Sequence, residues 1–158
     1  MVFVTLGSQK FPFNRLLRAV DRLIEQNRIM EPVFAQTGAS DYVPQHYASS
    51  AFLDRDSFAQ KVKESSVVIT HGGTGAIVGA LKQGKPVIAV PRLARYGEHV
   101  DDHQLQLLQQ FEEMGMIAVC YDLDKLGDLY YNIQKTTFAP YVSNTAQIIQ
   151  SIDDFLNA

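Results

Sequence analysis

The chain reads as an α/β protein built on a Rossmann-like, doubly wound parallel sheet. Three observations predict it. Short apolar runs of the buried-strand type recur along the chain, among them Val2-Phe3-Val4, Val67-Val68-Ile69 and Val87-Ile88-Ala89-Val90. Segments of helical periodicity alternate with them, which is the pattern of a parallel sheet covered on both faces. A glycine-rich turn, Thr70-His71-Gly72-Gly73-Thr74-Gly75, joins one apolar run to a helix start.

The elements follow in order. Val2–Thr5 is the first strand. Leu16, Leu17, Val20, Leu23 and Ile24 recur at helical spacing after a loop that holds Pro12. Pro32–Ala35 is the second strand, the polar stretch 39–50 is loop, and Ser50–Leu53 is a short third strand. Asp54 or Asp56 caps a helix carrying Phe58, Ala59 and Val62. Val67–Thr70 is the fourth strand, and the helix after the glycines ends near Gly84. Pro86 to Pro91 is the fifth strand, bracketed by prolines, and 92–99 is loop. A helix with Leu107, Leu108, Phe111 and Met114 stops at Gly115, and Met116–Cys120 is the sixth strand. Leu123–Ile133 is weakly helical. Ile148, Ile149, Ile152, Phe155 and Leu156 form a final amphipathic helix, with Asn144 and Gln147 at capping-box spacing.

Bulk properties fit one domain over residues 1–158, with no internal repeat and no linker. Fourteen basic against 17 acidic side chains leave a net charge of -3, which argues against a nucleic-acid partner. The lone Cys120 excludes an internal disulfide, suits a reducing compartment and reads as a small buried hydrophobe. The N-terminus opens directly on a strand, so no secretory leader is expected, and no apolar stretch reaches membrane-spanning length.

Three loops should converge beyond the C-terminal strand ends, where doubly wound sheets bind ligands: 6–11, 71–75 and 91–104. The glycine turn carries the strongest signal. The N–H groups of a first helical turn and the positive end of the dipole favour an anion. Glycines remove the Cβ atoms that would block its approach. His71 adds a side-chain donor that can charge beside an anion. The turn therefore points to a nucleotide or sugar nucleotide, with Gly72, Gly73, Thr74 and Gly75 as its cradle. In the first loop Gly7 permits close approach and Ser8 offers a hydroxyl. In the third, Asp102 and Gln104 suit sugar hydroxyls, because carboxylates and amides bond in two directions.

Other signals are weaker. His99 and His103 stand four apart, a metal-binding spacing on a helix, but Val100 follows the first and no third ligand is evident. Asp122-Leu123-Asp124 resembles a short acidic metal motif and reads instead as a helix cap. No metal or cofactor is expected. There is no Gly-x-Gly-x-x-Gly after the first strand and no Walker lysine, which argues against a dinucleotide reductase or a P-loop enzyme.

Together, Val68–Gly75, Gly84–Pro91 and Asp102-His103-Gln104 resemble the C-terminal domain of glycosyltransferase family 28, the donor-binding half of a GT-B enzyme. The resemblance runs from Val2 to the final helix. A GT-B enzyme has two such halves, so it implies the small subunit of a split glycosyltransferase. One such pair acts on dolichol-pyrophosphate-GlcNAc in eukaryotes. Others act in bacterial capsule and exopolysaccharide assembly, and the loop Tyr96-Gly97-Glu98-His99 with Asp101–Gln104 is most similar to those.

The resemblance implies metal-independent, inverting transfer of a hexose from a UDP-sugar, with galactose, glucose or glucuronate favoured. The acceptor would be a lipid-pyrophosphate-linked sugar, held by a membrane-anchored partner like the missing N-terminal half. The chain would be cytoplasmic, held at the inner face of the membrane by that partner, and active only with it. Gly7, Ser8 and Gln9 would line the diphosphate. His71 with the glycine turn would bind it and stabilise the leaving charge. Phe52 and Leu53 would hold uracil, and Asp102 and Gln104 the sugar. Relatives place a ribose-binding carboxylate in the helix after the glycines; Gly79 stands there, so no ribose contact is assigned. The general base is expected from the partner, with Glu98 as the candidate within this chain. The rival reading is a non-catalytic UDP-sugar-binding or scaffolding module of a polysaccharide complex.

Overall fold

The computed structural model describes residues 1–7 and 10–140 of the 158-residue chain. Ser8 and Gln9, and the final helix expected around 148–156, lie outside the described residues.

Strands β1 (Val2–Thr5), β2 (Val33–Gln36), β3 (Ala48–Ser50), β4 (Val67–His71), β5 (Val87–Val90) and β6 (Ala118–Val119) form one parallel sheet. Their order is β3-β2-β1-β4-β5-β6. Helices α1 (Asn14–Glu25), α2 (Arg55–Glu64), α3 (Thr74–Lys82), α4 (His103–Glu113) and α5 (Leu126–Ile133) connect or follow them. This is the doubly wound arrangement expected.

Strand alternation divides the core. Val2, Val4, Val67 and Ile69 face one side, where Leu16, Leu17, Val20 and Leu23 of α1 meet Leu126 and Ile133 of α5. Phe3, Val68 and Ala89 face the other, against Val62 of α2, Ile77 of α3 and Leu107, Leu108 and Phe111 of α4. Both faces are covered, which is why the central strands read as continuous apolar runs.

The strand order reverses between β1 and β4. A crevice therefore opens beyond their C-terminal ends, the place where such sheets take ligands. The register aligns Thr5 with Thr70, so Gly7 and His71 emerge side by side.

Two boundaries differ from expectation. β3 occupies Ala48–Ser50 rather than 50–53, because β2 ends at Gln36, opposite Ser50. Thr37 and Gly38 then turn while still donating N–H bonds to Ser50 and Ala51 carbonyls. Phe52 is left outside the sheet, 58% exposed. β6 shrinks to Ala118–Val119, although Cys120 N–H still bonds Ala89 O at 2.8 Å. Of the two caps considered for α2, Asp54 is the one used: its carboxylate accepts the Ser57 N–H at 2.7 Å.

Candidate functional site

The crevice is built around His71. Its imidazole is 5% exposed and lies between two glycines at the end of β4 and β1. A Cβ on Gly7 would come within 2.5 Å of His71 Nε2, and one on Gly73 within 2.4 Å of Cε1. Gly7 also has φ 69°, a left-handed value that glycine adopts without strain. Both glycines are therefore required by the ring.

Nδ1 of His71 faces donors: Arg92 Nε at 3.4 Å and the Gln104 amide nitrogen at 3.3 Å. It must accept, so the ring hydrogen resides on Nε2, the edge turned to Gly7 and Gly73. Burial, then Arg92, then His99 drive the imidazole pKa down to about 3. Lifting that pKa above 7 would take about 5 kcal/mol. His71 is a neutral N–H donor.

Gln104 holds the ring in place. Its Oε1 accepts the N–H groups of Gly72 and Arg92, each at 3.0 Å, while its amide nitrogen serves His71. It is 3% exposed. Gln104, expected as a sugar ligand, is thus the group that orients His71, with one amide hydrogen left over. Gly72 changes role for the same reason: its N–H is taken, and a Cβ there would strike Gln104. The available amides of the turn are those at Gly73, Thr74 and Gly75, at the start of α3, which has no side-chain cap.

Arg92 was not singled out by the sequence as a site residue, yet among the described residues it is the largest fully buried side chain. It donates to Leu6 O at 2.5 Å, Phe11 O at 2.9 Å and Glu98 O at 3.1 Å, besides His71. One guanidinium thus ties all three loops together. Burial lowers its pKa to about 10, so it stays charged at neutral pH and helps keep His71 neutral. The available signal was an arginine directly after an apolar strand.

A groove of about 490 Å³ opens on this arrangement, lined by Gly7, Gln36, Phe52, Leu53, His71 and Gly73 among others. It brings Phe52 and Leu53, named from sequence, beside the glycine turn. Thr5 and Gln36 at its floor were missed. Their side chains bond each other at 2.7 Å, and nothing distinguished them from ordinary strand ends.

Glu98 stands elsewhere. It is 3% exposed, clamps Arg15 through both oxygens at 2.9 and 3.0 Å and accepts Leu93 N–H at 3.1 Å. It lines a different groove, with Arg15, Arg18 and Tyr96. Three of its four acceptor positions are taken by Arg15 and the Leu93 N–H, so the carboxylate expected as a general base here holds Arg15. Glu98→Gln is expected to lower stability by about 1–3 kcal/mol in urea unfolding, because Arg15 loses a charged partner. UDP affinity should be unchanged in calorimetry. Unaltered stability with lost transfer would return Glu98 to the chemistry.

Asp102 sits exposed before α4, with Oδ1 accepting the Ala94 N–H at 2.9 Å and its other oxygen unassigned. His99 precedes α4, which begins at His103, so the two histidines do not share a helix face. Asp122 caps a 3-10 turn through Asp124 N–H at 3.0 Å, as expected. Cys120 is buried, its thiol pushed up to about 11 by burial.

The two glycines beside α3 allow a paired test. Gly73→Ala must displace His71 and is expected to cost about 1–3 kcal/mol. A Cβ on Gly75 meets nothing within 4 Å, so Gly75→Ala should keep the wild-type melting temperature or exceed it. Equal melting temperatures for the two variants would contradict the packing described.

Comparison with known proteins adds an independent line. The model of the glycosyltransferase family 28 C-terminal domain matches residues 1–156. The UDP-N-acetylglucosamine transferase subunit ALG13 of Eremothecium gossypii is 32% identical over 93 residues, 56% of this chain and 44% of that protein. The human protein of that name is 28% identical over 130 residues, 75% of this chain and 11% of its own length. The chain thus spans less than half of either relative. In fold it is similar to an NMR solution structure of ALG13 (TM-score 0.64, 18% identity, covering 99% of this chain and 96% of that one). It is also similar to the crystal structure of Acinetobacter baumannii MurG (TM-score 0.57, 16% identity, 96% and 49%).

Proposed function

The chain belongs to the glycosyltransferase family 28 C-terminal domain family, and from that premise we propose that it is the donor-binding half of a two-part glycosyltransferase. The observation that carries this reading is one groove holding the His71 turn, the open N-terminus of α3 and the apolar pair Phe52 and Leu53. A diphosphate fits the first two, and a planar base fits the third.

In this reading His71 Nε2–H and the amides of Gly73 to Gly75 donate to the diphosphate, with Gly7 on its other side. These donors stand ready before reaction, so charge arriving on the departing UDP meets them without reorganisation. Neutral donors and a helix N-terminus supply that stabilisation, and no metal is invoked. The reaction is inverting: an acceptor hydroxyl attacks the anomeric carbon directly. Asp102 contacts the sugar through its unassigned oxygen. No ribose contact is assigned, since Gly79 on α3 has no side chain to offer one.

The partner is a membrane-anchored subunit like the N-terminal half of a GT-B enzyme, presenting a lipid-pyrophosphate-linked sugar. The chain works with it at the cytoplasmic face of the membrane, in capsular or exopolysaccharide synthesis. The donor is UDP-galactose, UDP-glucose or UDP-glucuronate; the relatives' name makes UDP-GlcNAc the necessary comparison. Membranes from cells lacking this chain, given each labelled UDP-sugar with and without the purified protein, test the reading. Restored transfer to lipid from one sugar supports it and names the donor. No transfer, with the partner confirmed present, leaves a non-catalytic UDP-sugar-binding module.

A further inference from the structure

Resting on the donor-binding reading above, we propose that Gln36, held by Thr5 on the floor of the groove, is the residue that binds the ribose of the donor nucleotide.

Gln36 is a buried polar side chain with unused donors. It ends β2 and is 6% exposed, yet it lines the groove. The Thr5 hydroxyl donates to its Oε1 at 2.7 Å. The oxygen of that hydroxyl accepts the Gly7 N–H at 3.4 Å, so its own hydrogen is the one turned to Gln36. Oε1 is thereby occupied and the amide is oriented. Nε2 carries two hydrogens, and no described residue accepts either. Nor is that nitrogen walled in. Among the described residues, Thr70 Oγ1 is the one enclosed side-chain polar atom without a partner. The open side of Gln36 is the groove, and buried amides find partners, here water or a ligand.

Position along the groove selects the ribose. The register sets Gln36 beside Thr5 on one side and Ser50 on the other. Thr5 in turn lies beside Thr70, the residue before His71. Neighbouring strands are about 4.8 Å apart. Phe52, two residues beyond Ser50, thus stands about one strand spacing to one side of Gln36, and His71 about two to the other. A nucleoside diphosphate carries its ribose between base and phosphates. With the base on Phe52 and Leu53 and the diphosphate on the His71 turn, the ribose falls over Gln36. Its hydroxyl oxygens accept the two amide hydrogens. A neutral amide also adds no negative charge beside the diphosphate, as a carboxylate would. Gly79 offers no side chain from α3, so the contact comes from β2.

The backbone keeps the side chain in place. Gln36 O accepts the Leu6 N–H at 3.1 Å, and the Thr37 and Gly38 N–H groups bond Ser50 O and Ala51 O at 3.0 and 2.8 Å. Gly38, at φ 58°, lies so near the first loop that a Cβ there would come within 2.7 Å of Gly7 O. The ends of β1, β2 and β3 are pinned together beneath the groove.

Calorimetry on the purified chain tests this with UDP, 2′-deoxy-UDP and 3′-deoxy-UDP, for wild type, Gln36→Met and Thr5→Val. Wild type is expected to bind UDP about 2- to 10-fold more tightly than at least one deoxy analogue. Gln36→Met should bind all three alike, at the affinity of the weaker analogue. The ratio within one variant cancels any loss of folded chain. Thr5→Val keeps the amide but removes the hydroxyl that orients it, and should show a reduced preference. A wild type without preference, or a Gln36→Met chain that retains it, overturns the proposal while bound UDP leaves the donor-binding reading intact. Where Gln36→Met does not fold, an undiminished preference in Thr5→Val overturns it too. A Gln36→Met chain that gains on CDP relative to UDP assigns the amide to the base instead and equally overturns it. A wild-type chain that binds none of these nucleotides removes the donor-binding reading, and this one with it.

Discussion

His71→Ala is expected to abolish UDP binding and sugar transfer while also weakening the fold. The ring is a donor at Nε2 and an acceptor at Nδ1, and the substitution removes both. Loss of one preorganised donor to a departing oxyanion costs about 100- to 1,000-fold in kcat. The Arg92 Nε–H and the Gln104 amide hydrogen lose their shared acceptor, and each unsatisfied buried donor costs about 1–3 kcal/mol.

The pH dependence separates this account from one with a charged histidine. The native pKa of about 3 lies below the ordinary value of 6.5. Between those values the unfolded chain binds a proton there and the native chain does not. Stability from His71 is therefore complete above pH 6.5 and declines as pH falls, by about 1.4 kcal/mol per unit. Urea unfolding at pH 7.5 and 5.0 should show a steeper loss in wild type than in His71→Asn. Equal slopes would show a native His71 that titrates normally.

Arg92→Lys is expected to be the most damaging conservative change in the chain. A lysine keeps the charge but has a single ammonium, and the three loop carbonyls and His71 are spread around a planar fork. Buried carbonyls left without donors should cost about 2–4 kcal/mol. For a domain of this size that corresponds to a melting temperature lower by about 5–15 °C. UDP affinity should fall as well, since loops one and three lose their common anchor. A wild-type unfolding midpoint in Arg92→Lys would show that the network does not hold the site.

The sheet was legible because its central strands are covered on both faces and spell out apolar runs. β3 was displaced because it is an edge strand with exposed Ala48 and Ser49, so no apolar run marks it. The groove was legible wherever glycine chemistry or an exposed aromatic marked it, as at Gly7, Gly73 and Phe52. What the sequence could not distinguish was whether a polar side chain turns outward to a ligand or inward to its neighbours. Gln104, Glu98 and Arg92 all turn inward, and their roles follow from partners far away in sequence: Gly72, Arg15 and Leu6. Loop three looked like a row of ligands because its internal hydrogen bonds use the residue types that bind sugars.

The most direct test of the account is a titration of the isotope-labelled chain with UDP, followed by amide and imidazole NMR. The account predicts shifts in the amides of Gly73, Thr74 and Gly75, in the His71 Nε2–H and in the Phe52 ring, with His71 remaining neutral throughout. Shifts confined to other surfaces, or none at concentrations where UDP-sugar transfer proceeds, would contradict it.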